Sequence, residues 1–140
     1  MIVLVDTTIW SLALRRRPVD ISAEETTLVD EWSRLVRTGE AVLALPIRQE
    51  ILSGVRSEKA FRALQQSLSA FRYLDIEPTD YDRAAEFYNT CRSHGVAGTA
   101  TDLLLCAAAS RSEMPIFTTD GDFPFYARHL PVRLHTPALG

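Results

Sequence analysis

Short apolar runs alternate along the chain with longer stretches in which apolar positions recur at helical spacing. Residues 2–5 are all β-branched or leucine and stop at Asp6, the pattern of a strand buried on both faces of a parallel sheet. Residues 41–45 form a second such run and residues 71–76, interrupted by Arg72 and Asp75, a weaker third. Residues 115–118 are a fourth, and residues 132–134 a short last one. Between them the spacing predicts helices. Residues 22–37 carry Leu28, Trp32, Leu35 and Val36 on one face, with Ser22 and Glu25 as a capping box and Gly39 as the stop. Pro46 suits the first turn of a short helix running to Leu52 and ended by Gly54. Residues 57–70 repeat the helical period through Phe61, Leu64 and Leu68, and residues 79–93 do so behind a Thr79 cap. Residues 101–111 are apolar nearly all round, which predicts a central helix.

Strands alternating with helices point to an α/β fold with a central, mostly parallel sheet of four to five strands covered on both faces. At 140 residues the chain suits one domain, residues 1–140, with no repeat or composition break to mark a linker. The apolar fraction of 46% and charged fraction of 24% exclude collagen-like, coiled-coil and wholly disordered classes. The longest apolar run, Leu103 to Ala109, is far too short for the roughly 20 residues of a membrane span. The start meets Asp6 without a basic stretch before it, so no secretory signal is expected. Cys91 and Cys106, in no CxxC pattern, fit a reducing cytoplasm.

The net charge of −3 does not itself suggest a nucleic-acid partner. All the cations but Lys59 are arginine, which fits phosphate recognition by the guanidinium fork and equally fits a GC-rich genome.

In a parallel sheet, ligands bind beyond the carboxyl ends of the strands, and acids gather at those ends here. Asp6 closes the first strand, Glu50 lies one turn into the helix after the second, Asp102 opens the apolar helix, and Asp120 and Asp122 follow the fourth strand. Each has an ordinary structural role available: a cap at Asp6, a dipole partner at Asp102, a turn at Asp120-Gly121. Glu50 is flanked by Ile47, Ile51 and Leu52 in a helix expected to face inward. Carboxylates meeting within about 5 Å repel by about 3 kcal/mol per ionised pair at an effective dielectric of 20. Their convergence therefore demands protons or a cation. Oxygen-only ligands select Mg²⁺ or Mn²⁺, and His94, His129 and His135 show no ligand spacing and read as surface residues. Such an ion activates water for phosphodiester hydrolysis, with Thr7 and Thr119 placed to orient the acids. No phosphate loop, GxGxxG or nucleophile with a base is present in the sequence.

The motifs Val3-Leu4-Val5-Asp6-Thr7-Thr8-Ile9-Trp10, Pro46-Ile47-Arg48-Gln49-Glu50-Ile51-Leu52-Ser53-Gly54, Thr101-Asp102-Leu103-Leu104-Leu105-Cys106-Ala107-Ala108-Ala109 and Phe117-Thr118-Thr119-Asp120-Gly121-Asp122-Phe123 occur in that order. With them the whole chain resembles the PIN-domain nucleases, most closely the VapC-type toxins of bacterial toxin–antitoxin pairs. The resemblance implies a three-layer α/β/α PIN-like domain and a Mg²⁺- or Mn²⁺-dependent endoribonuclease. Its catalytic and metal-holding acids match Asp6, Glu50, Asp102 and Asp120, with Asp122 auxiliary. Glu40 competes with Glu50 but precedes its strand. The resemblance further implies a homodimer, a cognate antitoxin, and an RNA substrate.

Arginines at the rim of an acidic pocket would serve RNA binding, and Arg15-Arg16-Arg17 is the only cationic run. Arg48 and Arg56 bracket the Glu50 helix as further candidates. Trp10 could stack on a base, but core packing is preferred for it and for Trp32, and Tyr73, Tyr81 and Tyr88 read as core or interface. Two rivals keep the acids without this chemistry: a non-catalytic PIN-like binding module, and a phosphoacceptor signalling domain. The latter wants a lysine at the strand ends, and Lys59 is far from any.

Overall fold

The computed structural model describes residues 1–15 and 18–137. Its strands are β1 (Val3–Val5), β2 (Ala41–Ala44), β3 (Arg72–Leu74) and β4 (Ile116–Phe117). Its helices are α1 (Thr7–Arg15), α2 (Ala23–Arg37), α3 (Leu45–Leu52), α4 (Glu58–Leu68), α5 (Pro78–Ser93), α6 (Ala100–Arg111) and α7 (Phe123–His129). A single 3₁₀ turn spans Pro18–Asp20. The strands form one parallel sheet in the order β3-β2-β1-β4, with Val3 opposite Ala41 and Leu4 opposite Ile116. Helices flank it as α/β/α layers: α1 packs on α2 and α3, while α5 packs on α6 and α7.

The connection order explains where a site can form. From β1 the chain winds outward through β2 to β3, then returns to add β4 on the other side of β1. The direction of winding therefore reverses between β1 and β4, and the crevice at the carboxyl ends of a reversed pair is where open α/β sheets bind ligands.

Local chemistry sets the elements. The Ser22 hydroxyl accepts the Glu25 N–H while the Glu25 carboxylate accepts the Ser22 N–H, so the expected capping box starts α2. Gly39, at φ 74°, lets the chain turn from α2 into β2. Leu103 through Ala109 are all buried, which makes α6 the central helix its composition predicts. Two helices start earlier than the periodicity suggests. Pro78 occupies the first turn of α5, with Glu77 N–H bonded to Asp80 at 2.8 Å, and Thr99 caps α6 by accepting the Asp102 N–H at 3.1 Å. Residues 132–134 make no strand: beside the two-residue β4 there is room only for a parallel bridge between Leu134 and Ile116.

The core joins the sheet to both helical layers. Trp10 is fully buried, edge-on to Trp32 at 5.6 Å and Phe71 at 4.8 Å, and its indole N–H bonds to the Val5 carbonyl at 2.9 Å. It packs the core rather than meeting a base. Tyr81 and Tyr88, at 58% and 42% exposure, are surface residues of α5. His135 departs from the surface reading: it reaches the buried Glu31 at 2.6 Å, where Arg34 also bonds, and so ties the C-terminal segment to α2.

Candidate active site

The acids named from the sequence come from four connections and meet at one edge. Asp6 leaves β1 and is buried at 6% exposure. Its Oδ2 accepts the Thr118 hydroxyl at 2.7 Å and the Thr8 hydroxyl at 3.3 Å. Desolvation pushes its carboxyl above the usual range, with the Glu50 charge adding to the rise, while the Thr118, Thr7 and Thr8 bonds pull the other way. Asp102, in the first turn of α6, accepts the Tyr126 hydroxyl at 2.9 Å. Its carboxyl is likewise raised by burial, then by the charges of Asp120 and Asp6.

Asp120 and Asp122 follow β4 in a tight turn closed by the Asp122 N–H on Asp120 Oδ1 at 2.9 Å. Oxygens of Asp102, Asp120 and Asp122 lie within 4.8 Å of one another. Glu50 is exposed on α3, whose Ile47 and Ile51 face the core, so the helix faces inward while this side chain does not. It is joined to the edge by the Thr7 hydroxyl, which donates to Oε2 at 2.7 Å. Glu40 pairs with the Met1 amino group at 2.6 Å, at the amino end of β2 and apart from the acids.

Threonine placement follows a finer rule than sequence adjacency. Thr7 serves Glu50, whereas Asp6 is held by Thr8 and Thr118. Thr119 enters through its backbone N–H, bonded to the Thr8 hydroxyl at 3.0 Å. Thr8 and Thr118 sit one residue from the threonines singled out, and the turn after each strand decides which side chain swings back. Tyr126 is a further missed contact: its only sequence signal is a hydroxyl on an otherwise apolar residue four positions after Asp122.

The arginines divide. Arg16 and Arg17 lie outside the described residues, and Arg15 is the last residue of α1. Arg48 does not stand open at the rim: its guanidinium donates to the Tyr73 hydroxyl and to the Gln65 carbonyl, and lies 5.6 Å from the Tyr73 ring centre. A cavity of about 560 Å³ adjoins the acid edge between α1 and α2, lined in part by Thr7, Thr8, Thr119, Glu24 and Glu25.

The donor set decides what could be held here. Three carboxylates so close are mutually repulsive when ionised, and a divalent cation relieves that repulsion. Oxygen donors without imidazole or thiolate suit Mg²⁺ or Mn²⁺ rather than zinc. The residues fit such an ion.

Comparison with known proteins bears on the family and the fold. The family model described as PIN domain matches residues 3–128. Ribonuclease VapC11 of Mycobacterium tuberculosis (strain ATCC 25618 / H37Rv) is 27% identical over 128 residues, which are 90% of this chain and 92% of that protein. Among solved structures, VapBC2 from Rickettsia felis bound to a DNA fragment from their promoter superposes with a TM-score of 0.75 at 14% identity, covering 96% of this chain and 98% of the other. FitAcB from Neisseria gonorrhoeae gives 0.72 at 20% identity, covering 97% and 98%. At such identities these structures bear on the fold.

Proposed function

This chain belongs to the PIN domain family, and on that premise we propose that it is a metal-dependent endoribonuclease, the toxin of a toxin–antitoxin pair. The observation that carries the reading is the meeting of Asp102, Asp120 and Asp122 within 4.8 Å, beside the buried Asp6, at the point where the sheet reverses its winding. The ribonuclease name of the Mycobacterium tuberculosis relative supports the substrate, and the VapBC2 assembly supports an antitoxin partner.

In this reading Asp102, Asp120 and Asp122 hold Mg²⁺ or Mn²⁺, with Asp6 and Glu50 completing the negative edge. The bound ion supplies charge neutralisation and polarisation of the phosphodiester. The chain itself does the placing. Thr118 and Thr8 fix Asp6, and Thr7 fixes one oxygen of Glu50, leaving the other to accept a proton from an attacking water. With no lysine at this edge, transient phosphorylation of an aspartate lacks its usual cation. A homodimer, a single domain over residues 1–140, and a cytoplasmic setting complete the proposal, the last in keeping with two buried thiols, Cys91 and Cys106.

The test is cleavage of structured RNA by the purified chain, with EDTA and then Mn²⁺ or Mg²⁺ added back. Cleavage that EDTA stops and the ion restores is the expected result. Metal binding without cleavage at any ion concentration would instead establish a non-catalytic binding module, and EDTA-resistant cleavage would remove the ion from the mechanism.

A further inference from the structure

We propose that Tyr126 is a positioning residue for the cation site: its hydroxyl fixes the Asp102 carboxylate against the Asp120–Asp122 turn. The inference rests on the metal-site reading above and deepens it.

Tyr126 has no exposed surface, and its hydroxyl donates to Asp102 Oδ2 at 2.9 Å. A buried phenol needs an acceptor, so taken alone the bond could be only its satisfaction. The placement of α7 says more. The helix starts directly after the Asp120-Gly121-Asp122 turn, and the backbone N–H groups of Phe125 and Tyr126 both bond to the Asp122 carbonyl, at 3.1 and 3.2 Å. Tyr126 is therefore carried by the same turn that supplies two acids of the triad, and it reaches across to grip the third. Phe123 seats the ring from the side, edge-on at 5.2 Å.

Asp102 is otherwise tied from its own helix end, by the helix backbone and by Thr99, which caps its N–H at 3.1 Å and also bonds its carboxyl, so rotation of the carboxylate plane is restrained from that side only. That rotation is soft in an aspartate. The tyrosine bond stops it, and it fixes the separation of α6 from the turn after β4. An acid already held in place gives up less freedom when an ion binds, and removing such an outer partner costs about 10- to 100-fold in metal affinity.

The experiment is Mn²⁺ titration of the metal-free protein by calorimetry, for wild type and Tyr126→Phe, with thermal unfolding of both in EDTA and in Mn²⁺. Phenylalanine keeps the ring and its contact with Phe123, so the fold persists. The expected result is a Mn²⁺ dissociation constant about tenfold higher in Tyr126→Phe and a smaller Mn²⁺-induced rise in Tm. A role confined to folding would lower the metal-free Tm and leave the affinity unchanged, which overturns the proposal. Wild type that binds no Mn²⁺ would fell the metal-site reading and this inference with it, whereas equal binding by the two proteins fells this inference alone.

Discussion

Thr118 Oγ1 donates to Asp6 Oδ2 at 2.7 Å, joining the ends of β4 and β1 across 112 positions of sequence. The same hydroxyl accepts the Asp120 N–H at 3.0 Å and lies 3.3 Å from the Thr8 hydroxyl. One side chain thus steadies a buried carboxylate and shapes the turn that presents Asp120. The two strands are neighbours in the sheet, so this joint sits at the winding reversal itself.

Thr118→Val removes the donor from Asp6 and leaves the Asp120 N–H without its acceptor while keeping the side-chain shape. A stability loss of about 1–3 kcal/mol is expected from denaturant unfolding, and RNA cleavage falls by about tenfold or more because two acids lose their positions. Thr118→Ser retains the hydroxyl and should restore most of both. A valine variant cleaving at the wild-type rate would show that the joint serves stability only.

The carboxyls of Asp6 and Asp102 are raised above the ordinary 3.8, chiefly by desolvation. In the pH window from that value up to their raised ones, the folded chain binds more protons than the unfolded chain, so stability falls as pH rises through it. Asp80 acts in the opposite sense: its bonds to Arg111 lower its carboxyl, and that contribution disappears as pH drops below 3.8. In EDTA, Tm should therefore climb as pH falls through that window toward 3.8 and decline in stronger acid. Asp102→Asn should flatten that climb, abolish cleavage, and leave the fold intact or slightly more stable. A Tm in EDTA that rises steadily with pH through that window would contradict the raised carboxyls of Asp6 and Asp102.

The acids and most of the sheet were legible because they depend on local pattern: apolar runs stop at Asp6 and before Asp120, and α/β alternation puts those stops on one edge. The resemblance of the four motifs added family and chemistry. What stayed hidden depends on rotations and distances that a pattern does not encode. Thr7 and Thr119 sit next to acids in sequence, yet Thr8, one residue later, and Thr118, one residue earlier, are the side chains that the two turns bring to Asp6. The seven-residue α7 is too short to show a period, so neither the helix nor Tyr126 was visible. His135 looked like a surface residue because its partner, Glu31, lies 104 positions away.

Arg48 was a candidate phosphate contact, and its bonds to Tyr73 and the Gln65 carbonyl give it a different task, bracing α3 against β3 and α4. Arg48→Ala should cost about 1–2 kcal/mol in unfolding free energy. The salt dependence of RNA binding should stay as in wild type, whereas loss of a true phosphate contact lowers the log–log slope by about 0.7–0.9. Binding measured at several salt concentrations with a non-cleaving Asp102→Asn background separates the two roles.

The indole of Trp10 bonds to the carbonyl of Val5, the residue that leads into Asp6, and the ring is sealed by Trp32 and Phe71. The core thereby sets the height at which Asp6 leaves the sheet. Trp10→Ala opens a large cavity and should cost about 3–5 kcal/mol. Trp10→Phe is the more informative change, since it keeps much of the packing and frees the Val5 carbonyl, at a cost of about 1–3 kcal/mol. If the indole bond positions the strand end, Trp10→Phe should also lower cleavage several-fold under conditions where the protein is fully folded. Lost stability with an unchanged rate per folded molecule would confine Trp10 to the core.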